Sequence, residues 1–363
     1  MIFSTPMTMN WIILYFAENM SAILISRILG GVAFGSLVAM KLCTTSEYVA
    51  QHSRGLYMNL ITTLSPSIGT TVSHYLGSFW HWKTLAIIGI IQSIIGVFLP
   101  FFWVESPHWL ASNGRFQECE EAFRKLHGID SKSELELQLL IQVERAKFVK
   151  AQETNSVSIT RKLLKTFKRK YFWDLMILSV FINAYLTAAG KLSFNTLAVV
   201  IIEEITGSPD VLLFTLAIDG CIIIGSCVSL FLITKMSMRN MLFTTSIVAI
   251  SVLLALSVSV YFKSDKVVFQ WITVVLLAVY FFILKAGAYP VLEALLGEIY
   301  PLEIKIYCFF ISGTILMVSL SLQIFLLSCL SNAMGYHGLF FMNAVIMTIS
   351  LGYIWWRLPE TKG

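Results

Sequence analysis

Three ionisable residues stand where the surrounding sequence is apolar: Lys191, Lys285 and Glu293. If these runs cross a membrane, each charge costs about 2.5–3.5 kcal/mol on insertion scales. Such residues must face a cavity and pair, shift their proton affinity, or snorkel to water. On one helix, Lys285 and Glu293 are separated by about 12 Å along the axis, too far for direct contact. A second pattern pairs carboxylates with bases. SEYVAQHSRG carries Glu47 and Arg54, and GEIYPLEIKI carries Glu298 and Lys305. In each, an acid closes one apolar run and a base seven residues later opens the next. Covalent chemistry has no comparable signature. His52, His74, His81, His108, His127 and His337 are scattered, and no phosphate loop, metal-ligand cluster or nucleophile–base arrangement stands out. The cysteines lack zinc or redox spacing and read as small hydrophobes. No enzyme, metal or cofactor is expected.

The elements that position these residues are membrane spans. The chain has 363 residues, 57% hydrophobic and 13% charged, with a mean hydropathy of +0.77. A soluble domain of this size could not cover its surface with so little charge. The fold class is therefore all-α polytopic membrane protein, with the lipid bilayer as partner. A crossing helix needs about 20 apolar residues. Candidate spans lie near residues 2–17, 22–43, 56–77 and 84–104, then 172–202, 210–233, 240–262, 268–297, 305–330 and 337–356. The first is short. Gly30, Gly31 and Gly35 allow close helix packing in the second.

Between the two blocks, residues 105–170 hold 13 of the 26 Lys and Arg residues. Juxtamembrane bases mark the cytosolic side, so this interval reads as a cytosolic linker with amphipathic helices. Lys235, Arg239, Lys305, Arg357 and Lys362 fall on the same side by alternation. The net charge of +5 thus reports topology and lipid headgroups, not nucleic acid. Three regions follow: a helical bundle at 1–104, the linker at 105–170 and a six-helix bundle at 171–363.

The acid–base echo also counts spans. Glu298 closes the fourth span of its block, but Glu47 closes only the second. The last span of each block ends alike, in VESP at Glu105 and LPET at Glu360. Parallel repeats of this kind mark transporters built from two six-span halves. On that register the first half lacks its two opening helices, leaving about ten of twelve.

These residues resemble the sugar porter family of the major facilitator superfamily, especially its insect facilitated trehalose transporter-like branch. The family's GRFxxGxxxG run is similar to Ser26 to Gly35, with Arg27, Gly31 and Gly35 in register as helix-packing residues. Glu47, Arg54 and Gly55 match its Glu-x6-Arg-Gly element. The PESPRWL-x3-GR element appears as Val104 to Leu110, with Glu105, followed by Gly114 and Arg115. Pro290, Glu298 and Pro301 retain part of GPxPW-x4-E-x2-P, and PETKG is intact from Pro359.

The resemblance implies a carrier of alternating-access type with a midplane substrate site between two halves. Sugars such as trehalose or glucose, or a related solute, are the implied cargo, facilitative or proton-linked, at the plasma membrane. It implies a cytosolic gate of Glu47, Arg54, Glu105, Arg115, Arg239, Glu298, Lys305 and Glu360. It also places Met1 near the start of the family's third helix, so the 363-residue form is expected to fall short of a full transport cycle.

The sugar site departs from the family pattern. A usual Gln falls near Thr62, and the amide-rich run of the seventh helix becomes Leu186 to Leu192, with Asn183 and Asn195 a few residues either side. The Trp of GPxPW becomes Glu293, and Lys285 stands eight positions earlier. Sugar hydroxyls need planar amides and hydroxyls as partners, and several are lost. The expected cavity set is Thr62, Asn183, Lys191, Asn195, Lys285 and Glu293, with Lys191 paired to Glu293. That set also admits an acidic solute. A transport-inactive, regulatory or sensing membrane protein is the other reading. Lys41 and Asp219 read as interhelical or near-interface groups without a substrate role.

Overall fold

The computed structural model describes residues 4–49, 54–128, 130–153, 170–207, 211–262, 267–300 and 305–357. Almost all of them are helical, as a hydrocarbon environment demands of a chain whose backbone groups have no water to pair with. Among the described residues, eight helices are long and apolar enough to cross a membrane. The two remaining expected spans take other forms: a 12-residue helix, α1 (Thr5–Phe16), and a run interrupted by a π segment.

The chain divides into two compact units, Met1–Tyr57 with Trp80–Thr166, and Met58–Phe79 with Phe167–Gly363. In the first, α1 packs against α2 (Met20–Tyr48) and α5 (Trp82–Phe98). The polar interval forms α6 (Pro107–Ser112), α7 (Phe116–His127) and α8 (Ser131–Glu153). Ser106 caps α6 by accepting from the Trp109 N–H. The three helices bury a small core of their own, made by Leu110, Ala111, Cys119, Ala122, Phe123 and Leu137.

The second unit holds α3 (Arg54–Asn59) from its last residues onward, a π segment (Leu60–Leu64) and α4 (Ser65–Phe79). These join α9 (Lys170–Ala188), α10 (Lys191–Thr206), α11 (Val211–Lys235), α12 (Met238–Tyr261) and α13 (Val267–Ile283). A second π segment (Leu284–Ala288), α14 (Tyr289–Ile299) and α15 (Lys305–Arg357) complete it. Hydroxyl side chains inside these helices donate to carbonyls one turn back, as Thr70 does to Pro66 and Ser251 to Ile247, so they add no unpaired donor to the span.

Two glycines break the helical runs, the first inside an expected span and the second between two of them. The run at 172–202, read as one span, is divided at Gly190, which takes a left-handed φ of 76° that glycine adopts without steric cost. The break frees the Ala189 carbonyl from helical pairing. The hydroxyls of Tyr280 and Tyr289 both donate to it at 3.1 Å. In α15, Gly335 (φ 68°) kinks the helix between the runs expected at 305–330 and 337–356.

Candidate functional site

One seam of the second unit carries a row of buried polar groups, where α4 and its preceding π segment lie against α11. The sequence dictates it by spacing. Asn59, Thr63, Ser67 and His74 recur at intervals of four and seven residues, so they share a helix face; Asp219, Ser226 and Ser229, at intervals of seven and three, do the same on α11. The helices run antiparallel along the contact, so low numbers on one meet high numbers on the other. At one end the Asn59 Nδ2 donates to Ser229 Oγ at 2.7 Å. In the middle Ser67 Oγ lies 3.3 Å from Ser226 Oγ. At the far end His74 Nδ1 meets Asp219 Oδ2 at 2.6 Å. All of these residues are buried except His74, which is half-buried.

Lys285 enters the middle of this seam from the second π segment. It is 2% exposed, its Nζ donates to Ser67 Oγ at 3.1 Å, and it lies 5.6 Å from the centre of the Tyr289 ring. The ring face and the hydroxyl oxygen both present negative potential to the cation. The π segment sets this position, since one extra residue per turn re-aims the side chains that follow. Pro290, buried at the start of α14, lacks the N–H that the disturbed ladder would leave unmatched. Close backbone approach fixes the segment from both sides. A Cβ at Gly225 of α11 would lie 2.6 Å from the Phe282 carbonyl oxygen, and one at Gly287 would lie 2.3 Å from Thr245 of α12.

The other expected cavity residues are placed as follows. Thr62 is buried in the first π segment beside Thr63, with 3.4 Å between the hydroxyls. Asn183 is buried on α9, and its Nδ2 donates to both the carbonyl and the hydroxyl of Ser312 on α15, at 3.1 and 3.0 Å. Its amide donor is thereby committed to an interhelical contact. Glu293 is half-buried two turns beyond Lys285 on α14. The side chains of Lys191 and Asn195 lie outside the described residues, and with them the expected Lys191–Glu293 pair.

Of the expected gate residues, the structure brings together Glu105 and Arg115, 3.2 Å apart and both exposed. Arg115 also binds Glu118 through two nitrogens and stacks over Trp109. The Glu118 pair raises the Arg115 proton affinity further, and the guanidinium holds the Glu118 carboxyl below its ordinary value. Arg239 is half-buried at the start of α12. The side chains of Glu47, Arg54, Glu298 and Lys305, and all of Pro301 and Glu360, lie outside the described residues. Arg27 is exposed on α2. Close packing there occurs at Gly30, where a Cβ would lie 2.9 Å from Asn10 Oδ1; Gly31 and Gly35 have open space beside them among the described residues.

The seam residues Asn59, Ser67, His74, Ser226 and Ser229 were missed by sequence reasoning. A helical-face projection of polar residues within each span would have found them, because their spacing is the signal.

Comparison with known proteins gives the arrangement its context. A family model described as "Sugar (and other) transporter" matches residues 1–363. The chain is 24% identical over 377 residues to Sugar transporter ERD6-like 6 of Arabidopsis thaliana, covering 100% of this chain and 74% of that protein. It is 24% identical over 369 residues to the facilitated trehalose transporter Tret1 of Aedes aegypti, covering 99% of this chain and 44% of that one. Among solved structures it resembles the major facilitator superfamily proton:xylose symporter XylE bound to 6-bromo-6-deoxy-D-glucose. The TM-score is 0.78 at 14% identity, over 99% of this chain and 81% of that one, a likeness of fold.

Proposed function

The chain belongs to the Sugar (and other) transporter family, and from that premise we propose that the seam around Lys285 lines the path by which it moves its solute. The protein is an integral membrane carrier. Its cargo on this reading is a sugar, such as trehalose or glucose, or a related small polar solute, moved by alternating access. The observation that carries the reading is a fully buried lysine held by a hydroxyl and a tyrosine face, deep in a helix bundle. A buried charge of this kind is costly to keep and marks a solute or ion pathway by default. Serine and threonine hydroxyls beside it supply the donor–acceptor groups that polyols require.

In the same reading the chain sits in the plasma membrane with residues 105–170 and the C-terminus in the cytosol. The regions 1–104, 105–170 and 171–363 then act as bundle, linker and bundle. Glu105 and Arg115 belong to a cytosolic charge cluster, together with Glu47, Arg54, Arg239, Glu298, Lys305 and Glu360.

Uptake into cells expressing the chain from its complete transcript tests this. Radiolabelled trehalose, glucose and xylose are compared with gluconate. Saturable uptake of at least one neutral sugar, competed by the unlabelled compound, is the expected result. Uptake of gluconate alone would assign Lys285 to an acidic solute. Surface-expressed, monodisperse protein that moves none of the four would overturn the carrier reading in favour of a transport-inactive one. Protease accessibility of a tag placed among residues 154–169, in sealed cells, tests the orientation.

A further inference from the structure

The His74 end of the seam carries chemistry that the transport reading does not use. Asp219 lies eight residues inside α11 and is 1% exposed. His74 lies five residues before the end of α4. Their side chains are 2% and 15% exposed, with Nδ1 and Oδ2 only 2.6 Å apart. Among the described residues, His74 is the hydrogen-bonding partner of the Asp219 carboxylate.

A bare carboxylate at that depth is heavily penalised. With one proton on the pair the net charge is zero, whether the proton rests on nitrogen or oxygen. Without it, a buried negative charge faces a neutral ring. The contact therefore retains a proton. Should α4 and α11 part and admit water, the carboxylate is solvated without the proton, and the proton leaves to water. Helix contact and proton occupancy are linked, so each drives the other. Access is provided by the imidazole, the more exposed partner. In the loaded state the imidazolium donates its Nδ1–H to Asp219 Oδ2.

The neighbouring titratable groups leave the pair intact. On α4 itself Tyr75 is exposed, and the first π segment has no titratable side chain. On α11 Cys221 is half-buried. From the second π segment, Lys285 contacts Ser67, seven residues and about 10 Å along the axis from His74. Tyr280 on α13 is bonded to Ala189, Glu203 and Glu204 on α10 are exposed, and Arg239 and Tyr261 sit at the two ends of α12.

We propose that His74 and Asp219 form a proton-binding site, loaded while α4 rests on α11 and emptied when the helices separate. That the site makes solute movement respond to pH rests on the transport reading; the site itself does not.

Infrared difference spectra of the purified full chain in nanodiscs, titrated from about pH 8 to pH 5 around the ordinary histidine value, test it directly. The expected spectrum contains a protonation signal that disappears in Asp219→Asn and changes in His74→Gln, both of which keep size and hydrogen-bonding capacity. Identical titrations in wild type and both variants would overturn the site. Should Asp219→Asn fail to fold, the histidine resonance lost in His74→Gln gives the answer. Titration of that resonance as a free imidazole overturns the site, and a displaced midpoint supports it. Sugar uptake with and without a protonophore separates the two proposals. A proton site without uptake sinks only the transport reading; uptake from a chain lacking the site sinks only this one.

Discussion

The seam between α4 and α11 and the cluster of α6, α7 and α8 both bring acids and bases within hydrogen-bonding distance, and burial gives them opposite physics. In the seam, Asn59, Ser67, Asp219, Ser226, Ser229 and Lys285 are buried. Each polar atom there must find a partner or be penalised, and a removed partner leaves the other stranded. In the cluster, Arg115 bridges Glu105 and Glu118, and Arg124 bridges Glu120 and Glu134, with every side chain a third or more exposed. Water stands ready to replace any of them. The same residue types are therefore expected to govern function and helix contact in one place and to contribute little in the other.

The widest gap between the two regions is expected at Lys285. Lys285→Met keeps the length of the side chain and removes the cation. Uptake of the transported solute is expected to fall at least tenfold, with thermal stability in detergent no lower than wild type, because a desolvated charge has gone. Lys285→Arg tests geometry at constant charge. Wild-type uptake by the methionine variant would erase the functional half of the contrast.

Packing of the seam comes next. Gly225→Ala places a methyl group 2.6 Å from the backbone oxygen of Phe282, where no flexible side chain can yield. The two elements must separate, at about 1–3 kcal/mol, visible as a lowered melting temperature. Gly31→Ala, with nothing within 4 Å, is the matched control and is expected to leave the melting temperature unchanged. Equal effects at both sites would mean that close approach is not what holds α11 to its neighbour.

A smaller effect is expected for the neutral rung. Asn59→Ala and Ser229→Ala, combined in a double-mutant cycle, are expected to show a coupling of about 0.6 kcal/mol, typical of hydrogen bonds between membrane helices. A coupling indistinguishable from zero would mean that the 2.7 Å contact is incidental to helix association.

How far the sequence foretold these two regions depends on what kind of signal each leaves. Membrane class and most spans are legible, since a run of apolar residues the width of a bilayer has few other uses. The break at Gly190 is not, because a glycine inside such a run is common and only its positive φ distinguishes it. The π segments are equally silent: an extra residue in one turn changes neither composition nor hydrophobicity. Lys285 is legible as a misplaced charge. Its partner Ser67 is 218 positions away and looks like any serine bonded to its own helix. Among the described residues a hydroxyl and a ring face lie against Lys285, and neither leaves a mark in the sequence that points to the lysine. In the α6–α8 cluster the reverse holds. Amphipathic periodicity foretells the helices, but their shared core of Leu110, Cys119, Phe123 and Leu137 depends on a fold-back that periodicity alone does not specify.

The least effect, and the one that sharpens the comparison from the exposed side, concerns pH. Burial pushes the His127 imidazole below its ordinary value, with Glu136 partly opposing, and the ring lies against Phe123 at 4.5 Å. A group whose folded value is depressed contributes stability that is complete above its unfolded value and is lost as pH falls through the folded one. The α6–α8 cluster is therefore expected to loosen slightly below about pH 6.5. Glu118 and Glu134, each held low by its arginine, lose their contribution only in the acid range below about pH 4.3. Hydrogen exchange of residues 107–153 at two pH values checks this, with His127→Phe expected to abolish the first loss and Arg124→Ala to leave it intact. Exchange that quickens on acidification in His127→Phe as it does in wild type would place the sensitivity elsewhere.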